Sequence, residues 1–219
     1  MQTSIKSSDG HTFSAYVAGA EDAPKGIVIV QEIFGVNSHI RELADFFATQ
    51  GYRAVCPALF DRVKPGVELG YTPEDVQKGL GYRSKMTDEQ ALLDVEAAAG
   101  TLKQKNIAVV GYCWGGTIAW LAACRSDQFA AASCWYGGGI AKVKDEKPRV
   151  PTQMHFGDQD ASIPMNDVQA IRAAQPGVET YVYEGAGHGF GCDQRGSYNA
   201  GAAEQARERT LAFFDQHLK

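Results

Sequence analysis

The chain alternates between short apolar runs and longer segments in which apolar residues recur with helical spacing. The clearest unit begins with a continuous β-branched run at 27–30 and continues with apolar residues at helical spacing over 40–48, closed by Gly51. An uninterrupted apolar run is typical of a buried strand, and a glycine after a periodic segment is typical of a helix end. We interpret this stretch as one strand followed by one helix.

The same unit recurs along the chain. Further apolar runs predict strands at 52–56, 107–110, 130–136, 152–156 and 180–183, and helices are predicted at 88–104, 115–126, 166–174 and 202–218. Two extended stretches, 3–7 and 12–18, precede them and are separated by Asp9-Gly10, which is typical of a hairpin turn. The alternation predicts an α/β fold with a mainly parallel central sheet flanked by helices on both faces. Only 57–87 is weakly patterned, and we expect this segment to wall a substrate site.

Composition and charge exclude several classes of function. The chain has 219 residues, a length at which one α/β domain buries a large core, so we interpret 1–219 as a single domain. Its net charge is −5 and it has no basic stripe, so we expect no nucleic-acid partner. No window approaches the roughly 18 apolar residues of a membrane span, and no apolar secretion signal is visible, so we expect a cytoplasmic protein without a membrane partner.

Five cysteines occur, at positions 56, 113, 124, 134 and 192. Their odd number and the lack of C-x-x-C spacing predict neither a disulfide framework nor a zinc site, and they favour a reducing compartment. Cys56, Cys124 and Cys134 lie in apolar runs, where we expect small buried side chains.

Cys113 has a different context. The run Gly111-Tyr112-Cys113-Trp114-Gly115-Gly116 follows a predicted buried strand and precedes a predicted helix. A Gly-x-nucleophile-x-Gly turn in this position is the nucleophile elbow of α/β hydrolases, and its glycines relieve crowding in a strained turn. Serine is usual at the centre. Cysteine there predicts attack by a thiolate, whose reactivity is controlled by its pKa.

A base and an acid follow two later strands. Asp160 lies in Gly157-Asp158-Gln159-Asp160 and His188 in a glycine-rich loop, which gives the chain order nucleophile, acid, histidine of the α/β-hydrolase fold. His188 would accept the proton of Cys113 or hold the thiolate as an ion pair. Asp160 would orient the ring and stabilise the imidazolium. Asp158 is the alternative acid. It could instead cap the loop by accepting backbone hydrogen bonds.

The remaining histidines are weaker candidates. We expect His11, His39 and His217 at the surface and His155, inside a predicted strand, as a hydrogen-bonded core residue. An acyl-transfer site also needs two oxyanion donors. The backbone N–H of Trp114, directly after the nucleophile, and that of Ile33, after an earlier strand, are the candidates.

Four motifs together carry a family resemblance: residues 31–37 (Gln-Glu-Ile-Phe-Gly-Val-Asn), the Cys113 elbow, the Asp160 loop and 187–190 (Gly-His-Gly-Phe). In register along nearly the whole chain, they resemble the dienelactone hydrolase (carboxymethylenebutenolidase) family. The resemblance implies a monomeric α/β hydrolase, without a metal or organic cofactor, acting on a small-molecule substrate. It implies opening of an unsaturated cyclic lactone to maleylacetate, in degradation of chlorinated catechols.

The resemblance also implies a role for Glu32. In the family this carboxylate holds the thiol turned away at rest and releases it when substrate binds, which here would be a contact between Glu32 and Cys113. The alternative interpretation is a partly exposed glutamate at a strand end.

The substrate-binding residues depart from the family pattern. Family members bind the lactone's carboxylate with two arginines; here one position is Cys192 and the other corresponds to Lys78. Lysine lacks the bidentate fork of arginine, so Arg83 and Arg195 are alternative candidates for this role. Tyr82 resembles a family tyrosine that contacts substrate, and its other interpretation is an aromatic residue packed on the core.

Three hypotheses follow. The first is hydrolysis of small anionic enol-lactones through an acyl-cysteine on Cys113. The second keeps the same triad but gives it another small ester or thioester. The third is a binding or thiol-redox protein on a hydrolase fold, in which Cys113 reacts with oxidants.

Overall fold

The computed structural model describes residues 1–219, with eight strands and six α-helices. The strands are β1 (Gln2–Lys6), β2 (Thr12–Ala18), β3 (Lys25–Val30), β4 (Tyr52–Pro57), β5 (Ile107–Tyr112), β6 (Ala131–Trp135), β7 (Thr152–Gly157) and β8 (Glu179–Tyr183). The helices are α1 (Ser38–Thr49), α2 (Pro73–Arg83), α3 (Asp88–Ala99), α4 (Trp114–Arg125), α5 (Met165–Ala174) and α6 (Ala200–His217). Two single-turn 3₁₀ helices, Leu59–Arg62 and Ile140–Val143, lie in loops.

All eight strands belong to one sheet, in the order β1-β2-β4-β3-β5-β6-β7-β8. β1 and β2 form the predicted antiparallel hairpin, β2 pairs antiparallel with β4, and every other neighbouring pair is parallel. Every residue of β5, β6 and β7 is buried, so the sheet is covered on both faces there. The predicted α/β fold with a mainly parallel sheet is confirmed.

The parallel strands bring the loops that follow them to one edge of the sheet. Glu32 follows β3, Cys113 follows β5, Asp160 follows β7 and His188 follows β8. Residues far apart in sequence are therefore neighbours at that edge.

The structure differs from the sequence analysis most clearly in one helix that was not predicted and in one helix that ends early. The segment 57–87 contains a helix, α2, which begins with Pro73 and is capped by reciprocal hydrogen bonds between Thr72 and Asp75. The helix predicted at 88–104 ends at Ala99, because Gly100 interrupts it and the Thr101 hydroxyl donates to the Ala98 carbonyl, 2.7 Å away. None of the helices combines the length and apolar composition needed to cross a membrane.

Candidate active site

Cys113 lies in a strained turn between β5 and α4. Its φ is 56°, in the left-handed region that side chains other than glycine rarely adopt. The turn is possible only with small residues on either side: a Cβ on Gly111 would lie 1.9 Å from the Gly115 carbonyl oxygen, and one on Gly115 would lie 2.3 Å from that of Val30. The strand-turn-helix geometry predicted for this motif is confirmed.

A continuous line of polar contacts links Cys113, His188 and Asp160. The Sγ atom of Cys113 is 3.1 Å from Nε2 of His188, and Nδ1 of the same ring is 2.8 Å from Oδ2 of Asp160. The Asp160 side chain is fully buried, and its Oδ1 accepts the N–H groups of Ser162 at 2.8 Å and Ile163 at 3.1 Å. These backbone donors hold the carboxylate in place, so the carboxylate in turn orients the imidazole.

Asp158, the alternative acid, has a different role. Its Oδ1 accepts the Gly185 N–H at 2.8 Å and so links the loops after β7 and β8. The interpretation of Asp158 as a loop cap is confirmed. Of the two aspartates, Asp160 is the one that reaches His188.

The charge state of His188 follows from its neighbours. Burial by itself disfavours an imidazolium and lowers the pKa of His188, but the negative charge of Cys113 and the hydrogen bonds with Asp160 and Cys113 outweigh it and raise that pKa to about 10. His188 is therefore protonated at neutral pH in this geometry. Cys113 Sγ therefore has, 3.1 Å away, a group that can take and return its proton, as a cysteine nucleophile requires.

Two backbone N–H groups are available beside the thiol. Trp114 is the first residue of α4, where an N–H has no intrahelical acceptor. Ile33 lies in the turn after β3, and its N–H donates to none of the carbonyls that the turns and loops use. Gly79 of α2 packs so closely on this turn that a Cβ there would lie 2.2 Å from the Ile33 carbonyl oxygen. The helix therefore fixes the turn that carries the second candidate donor.

The predicted contact between Glu32 and Cys113 is wrong in this structure. Glu32 is fully buried, which also excludes a partly exposed position. Its Oε1 accepts a hydrogen bond from Nη1 of Arg195, 3.0 Å away, and its Oε2 accepts one from the Tyr71 hydroxyl, 3.2 Å away. Neither oxygen is hydrogen-bonded to Cys113. A buried carboxylate needs a charged partner, and Arg195 supplies it. The thiol is left to face His188.

A pocket of about 580 Å³ lies over Cys113. Apolar residues from the turn after β3, from α2 and from α4 form much of its wall: Ile33, Phe34, Val76, Leu80 and Trp114. The expectation that 57–87 walls the site is confirmed, although by a helix. The cations that line the pocket are Arg83, Lys142 and Arg195.

The candidate substrate-binding residues have different environments. Arg195 lines the pocket, its guanidinium lying 5.5 Å from the ring centre of Phe34 and 5.6 Å from that of Tyr71. Arg83 also lines it, 4.7 Å from the Trp114 ring centre, but it is paired with Asp88.

Lys78 and Tyr82 do not reach the pocket. Lys78 is half exposed on α2 and pairs with Glu74 at 2.8 Å, so its prediction as a substrate-binding residue is wrong because that face of α2 meets solvent. The Tyr82 ring centre is 5.6 Å from that of Phe60, and Tyr82 packs against the core rather than lining the pocket.

Sequence analysis missed several residues near the site. Lys142 comes from a 3₁₀ turn that no pattern predicted, and Tyr71 from the weakly patterned segment. Tyr136, directly after β6, has a φ of 39°, and its ring meets the His188 ring edge-on at 5.4 Å.

The predicted surface position of His39 is wrong, because this residue is only 3% exposed. The interpretation of His155 as a hydrogen-bonded core residue is confirmed by its 2.8 Å contact with the Tyr183 hydroxyl.

One group of side chains has the composition of a metal site. Glu32, His39 and Cys192 are all buried, and one ligand atom from each lies within 4.8 Å of the others. Cys113, His188 and Asp160 do not belong to this group.

Comparison with known proteins places the chain among hydrolases. A sequence model of the dienelactone hydrolase family matches residues 13–218. A carboxymethylenebutenolidase of Pseudomonas putida is 37% identical over 224 residues, covering 96% of this chain and 94% of the relative. A Synechocystis protein provisionally named carboxymethylenebutenolidase is 39% identical over 213 residues, covering 88% and 86%. The crystal structure of a provisionally named dienelactone hydrolase from Klebsiella pneumoniae gives a TM-score of 0.83 at 32% identity, covering 99% of this chain and 98% of that one.

Proposed function

The chain belongs to the dienelactone hydrolase family, and from this premise we propose that it hydrolyses small anionic enol-lactones through an acyl-cysteine intermediate on Cys113. The observation that carries the proposal is the unbroken line from Cys113 through His188 to Asp160 at the base of a pocket. That the protein acts as a monomeric single domain, without a cofactor, stays a prediction.

In the first half of the reaction, the Cys113 thiolate attacks the lactone carbonyl carbon. The carbonyl oxygen gains the negative charge, and the N–H groups of Ile33 and Trp114 are the donors that would stabilise it. When the tetrahedral intermediate collapses, the ring C–O bond breaks and the enolate oxygen takes the proton from Nε2 of His188. The products of this half are a thioester on Cys113 and a neutral imidazole.

In the second half, the neutral imidazole of His188 takes a proton from water, and the resulting hydroxide attacks the thioester carbon. Collapse of this second intermediate breaks the C–S bond and releases a carboxylic acid and the thiolate. The imidazolium and thiolate pair is then restored. Asp160 accepts the Nδ1–H hydrogen bond throughout, so that Nε2 is always the atom that exchanges the proton.

Of the two arginines that line the pocket, Arg195 is the better suited to an anionic substrate. Its hydrogen bond to Glu32 uses Nη1, and no other guanidinium N–H has a hydrogen-bond partner. Arg83, by contrast, donates from Nη1 to the Met86 carbonyl oxygen and from Nη2 to Asp88. A guanidinium with free N–H groups can bind a carboxylate in bidentate fashion.

A second candidate substrate class is small neutral esters. Both pocket arginines are already neutralised, Arg195 by Glu32 and Arg83 by Asp88, and much of the wall is apolar. These pairs reduce the attraction of the pocket for a negative charge. The same Cys113 chemistry would then act on an uncharged acyl group.

A substrate panel tests the proposal. We expect the protein to hydrolyse carboxylate-bearing enol-lactones with a higher kcat/KM than matched neutral p-nitrophenyl esters, and Cys113→Ser to lose turnover of both. Preference for the neutral esters would support the second substrate class. Undiminished activity of Cys113→Ser would contradict nucleophilic catalysis by this residue.

A further inference from the structure

The residues Glu32, His39 and Cys192 form a buried group, of which the proposed hydrolysis uses only Glu32, as the ion-pair partner of Arg195. The exposed fractions of these residues are 0%, 3% and 0%. A carboxylate, an imidazole and a thiol are brought together there from the turn after β3, from α1 and from the loop after β8. Polar side chains are costly to bury unless they are paired, so a cluster of three calls for a physical reason.

His39 supplies the observation that points to a ligand. Its Nδ1 is 3.6 Å from Oδ1 of Asp193, whereas its Nε2 is buried without any hydrogen-bond partner. A carboxylate beside one imidazole nitrogen favours the proton on that nitrogen and leaves a lone pair on the other. Many metal-binding histidines are held in this way: one ring nitrogen donates its N–H to a carboxylate and the other nitrogen binds the metal.

Glu32 has one oxygen that a cation can take without breaking the ion pair with Arg195. Arg195 donates to Oε1, whereas Oε2 accepts only the Tyr71 hydroxyl, at 3.2 Å. Exchanging that single neutral hydrogen bond for a metal bond keeps Arg195 in place on the pocket wall.

We propose that Glu32, His39 and Cys192 form a binding site for a divalent cation of the zinc type. Sulfur, nitrogen and oxygen ligands in one set are characteristic of Zn²⁺, and three protein ligands leave a fourth position for water or the Tyr71 hydroxyl. Binding displaces the proton of the Cys192 thiol to solvent, so the thiolate offsets one charge of the ion, while Glu32 shares its negative charge between the ion and Arg195. The site is separate from Cys113 and His188.

The surroundings of His39 offer a route from solvent. His39, Glu42 and Asp193 form a second group of ligand atoms within 4.8 Å of one another, and the two acidic residues of that group are exposed. Their negative charges attract a cation to the edge of the buried cluster. Asp193 then has two roles, as part of the entrance and as the partner that orients His39.

The test uses the full chain with Cys113→Ser as the background, because Cys113 and His188 also carry side chains of the kinds that zinc prefers as ligands. We expect one Zn²⁺ per chain in competition with a chromophoric chelator. With Co²⁺ as the probe, we expect a thiolate-to-metal charge-transfer band in the near ultraviolet. Adding Cys192→Ser should abolish the band and weaken zinc binding more than about 100-fold, since it removes a ligand and not only an outer-shell partner. Cys124→Ser is the matched control and should change neither.

Asp193→Asn keeps the proposal testable if changes in the buried cluster impair folding, because the Asp193 side chain is 60% exposed. We expect it to weaken zinc binding about 10- to 100-fold, with the cobalt band retained. Three results would overturn the proposal: no cobalt band in the background protein, zinc binding that survives Cys192→Ser, or binding that is seen only while Cys113 is present.

Discussion

Replacing Asp160 by asparagine isolates the contribution of one carboxylate to the line of contacts through His188. Asparagine has nearly the same shape, and its oxygen can keep the N–H groups of Ser162 and Ile163 that Oδ1 now accepts. The amide nitrogen then faces Nδ1 of His188. Since the amide nitrogen and the Nδ1–H group are both donors, the hydrogen bond that stabilises the imidazolium is lost. In the neutral ring the proton then moves from Nδ1 to Nε2, which can no longer accept one.

The size of the effect follows from the 2.8 Å contact between Nδ1 and Oδ2. A hydrogen bond to a charged group contributes about 1.5–3 kcal/mol, and 1.36 kcal/mol corresponds to one pKa unit, so the pKa of His188 should fall from about 10 to about 8–9. The same substitution in a serine triad lowers kcat about 10⁴-fold through the wrong tautomer. For a thiol nucleophile, which ionises more readily, we expect kcat/KM to fall at least about 100-fold.

The assay is kcat/KM for an enol-lactone together with an NMR titration of the His188 ring. Asp158→Asn is the control, because Asp158 contacts the Gly185 N–H and not the imidazole. We expect that variant to remain within about threefold of the wild type, as a change outside the reacting groups should. If Asp160→Asn left both the titration and kcat/KM unchanged, or if Asp158→Asn lost as much activity, the assigned role of Asp160 would be refuted.

Further predictions concern pH, substrate charge and the turn at Cys113. In the ligand-free protein the pKa of His188 is raised from its usual 6.5 to about 10, so its imidazolium persists through neutral pH. We expect kcat/KM, which reports free-enzyme pKa values, to decline as pH rises through about 10, and a profile of kcat/KM without that decline would contradict this. Arg195→Lys keeps the charge beside Glu32 but loses the bidentate fork, so it should lower kcat/KM about 10-fold for anionic lactones and less than about twofold for neutral esters. Lys78→Ala should change neither value, since this side chain is half exposed outside the pocket. Gly111→Ala should lower thermal stability by at least about 2 kcal/mol in calorimetry, whereas Gly177→Ala, with no atom within 4 Å of its added Cβ, should stay within about 0.5 kcal/mol.

Local patterns were sufficient for the parts of the site that one loop determines. The turn at Cys113 could be predicted because its glycines, the strand before it and the helix after it lie within a few residues of one another. Asp160 and His188 could be predicted because each follows a strand of a parallel sheet, whose loops meet at one edge. The start of α2 also has a local sequence signal, because Thr72 and Asp75 have the spacing of a capping pair. This signal would have predicted the helix.

Contacts between distant segments could not be predicted in this way. Glu32 and Arg195 are 163 positions apart, and nothing near Glu32 in the sequence indicates that its partner is an arginine instead of the thiol. Lys78 and Arg83 lie on the same helix, and only its rotation against the turn at Ile33 decides which cation faces the pocket. His39 lies in the first turn of α1, where it is buried, and the carboxylate that faces its Nδ1 comes from Asp193 in the loop after β8.

The most direct test of the central claim is the identification of the acylated residue. Wild-type protein is mixed with an activated ester or an enol-lactone, quenched in acid during the first turnovers, and digested for peptide mass spectrometry. The account predicts the acyl mass on the peptide that contains Cys113, and neither adduct nor turnover in Cys113→Ser. An adduct on a different residue, or turnover in Cys113→Ser equal to that of the wild type, would contradict it.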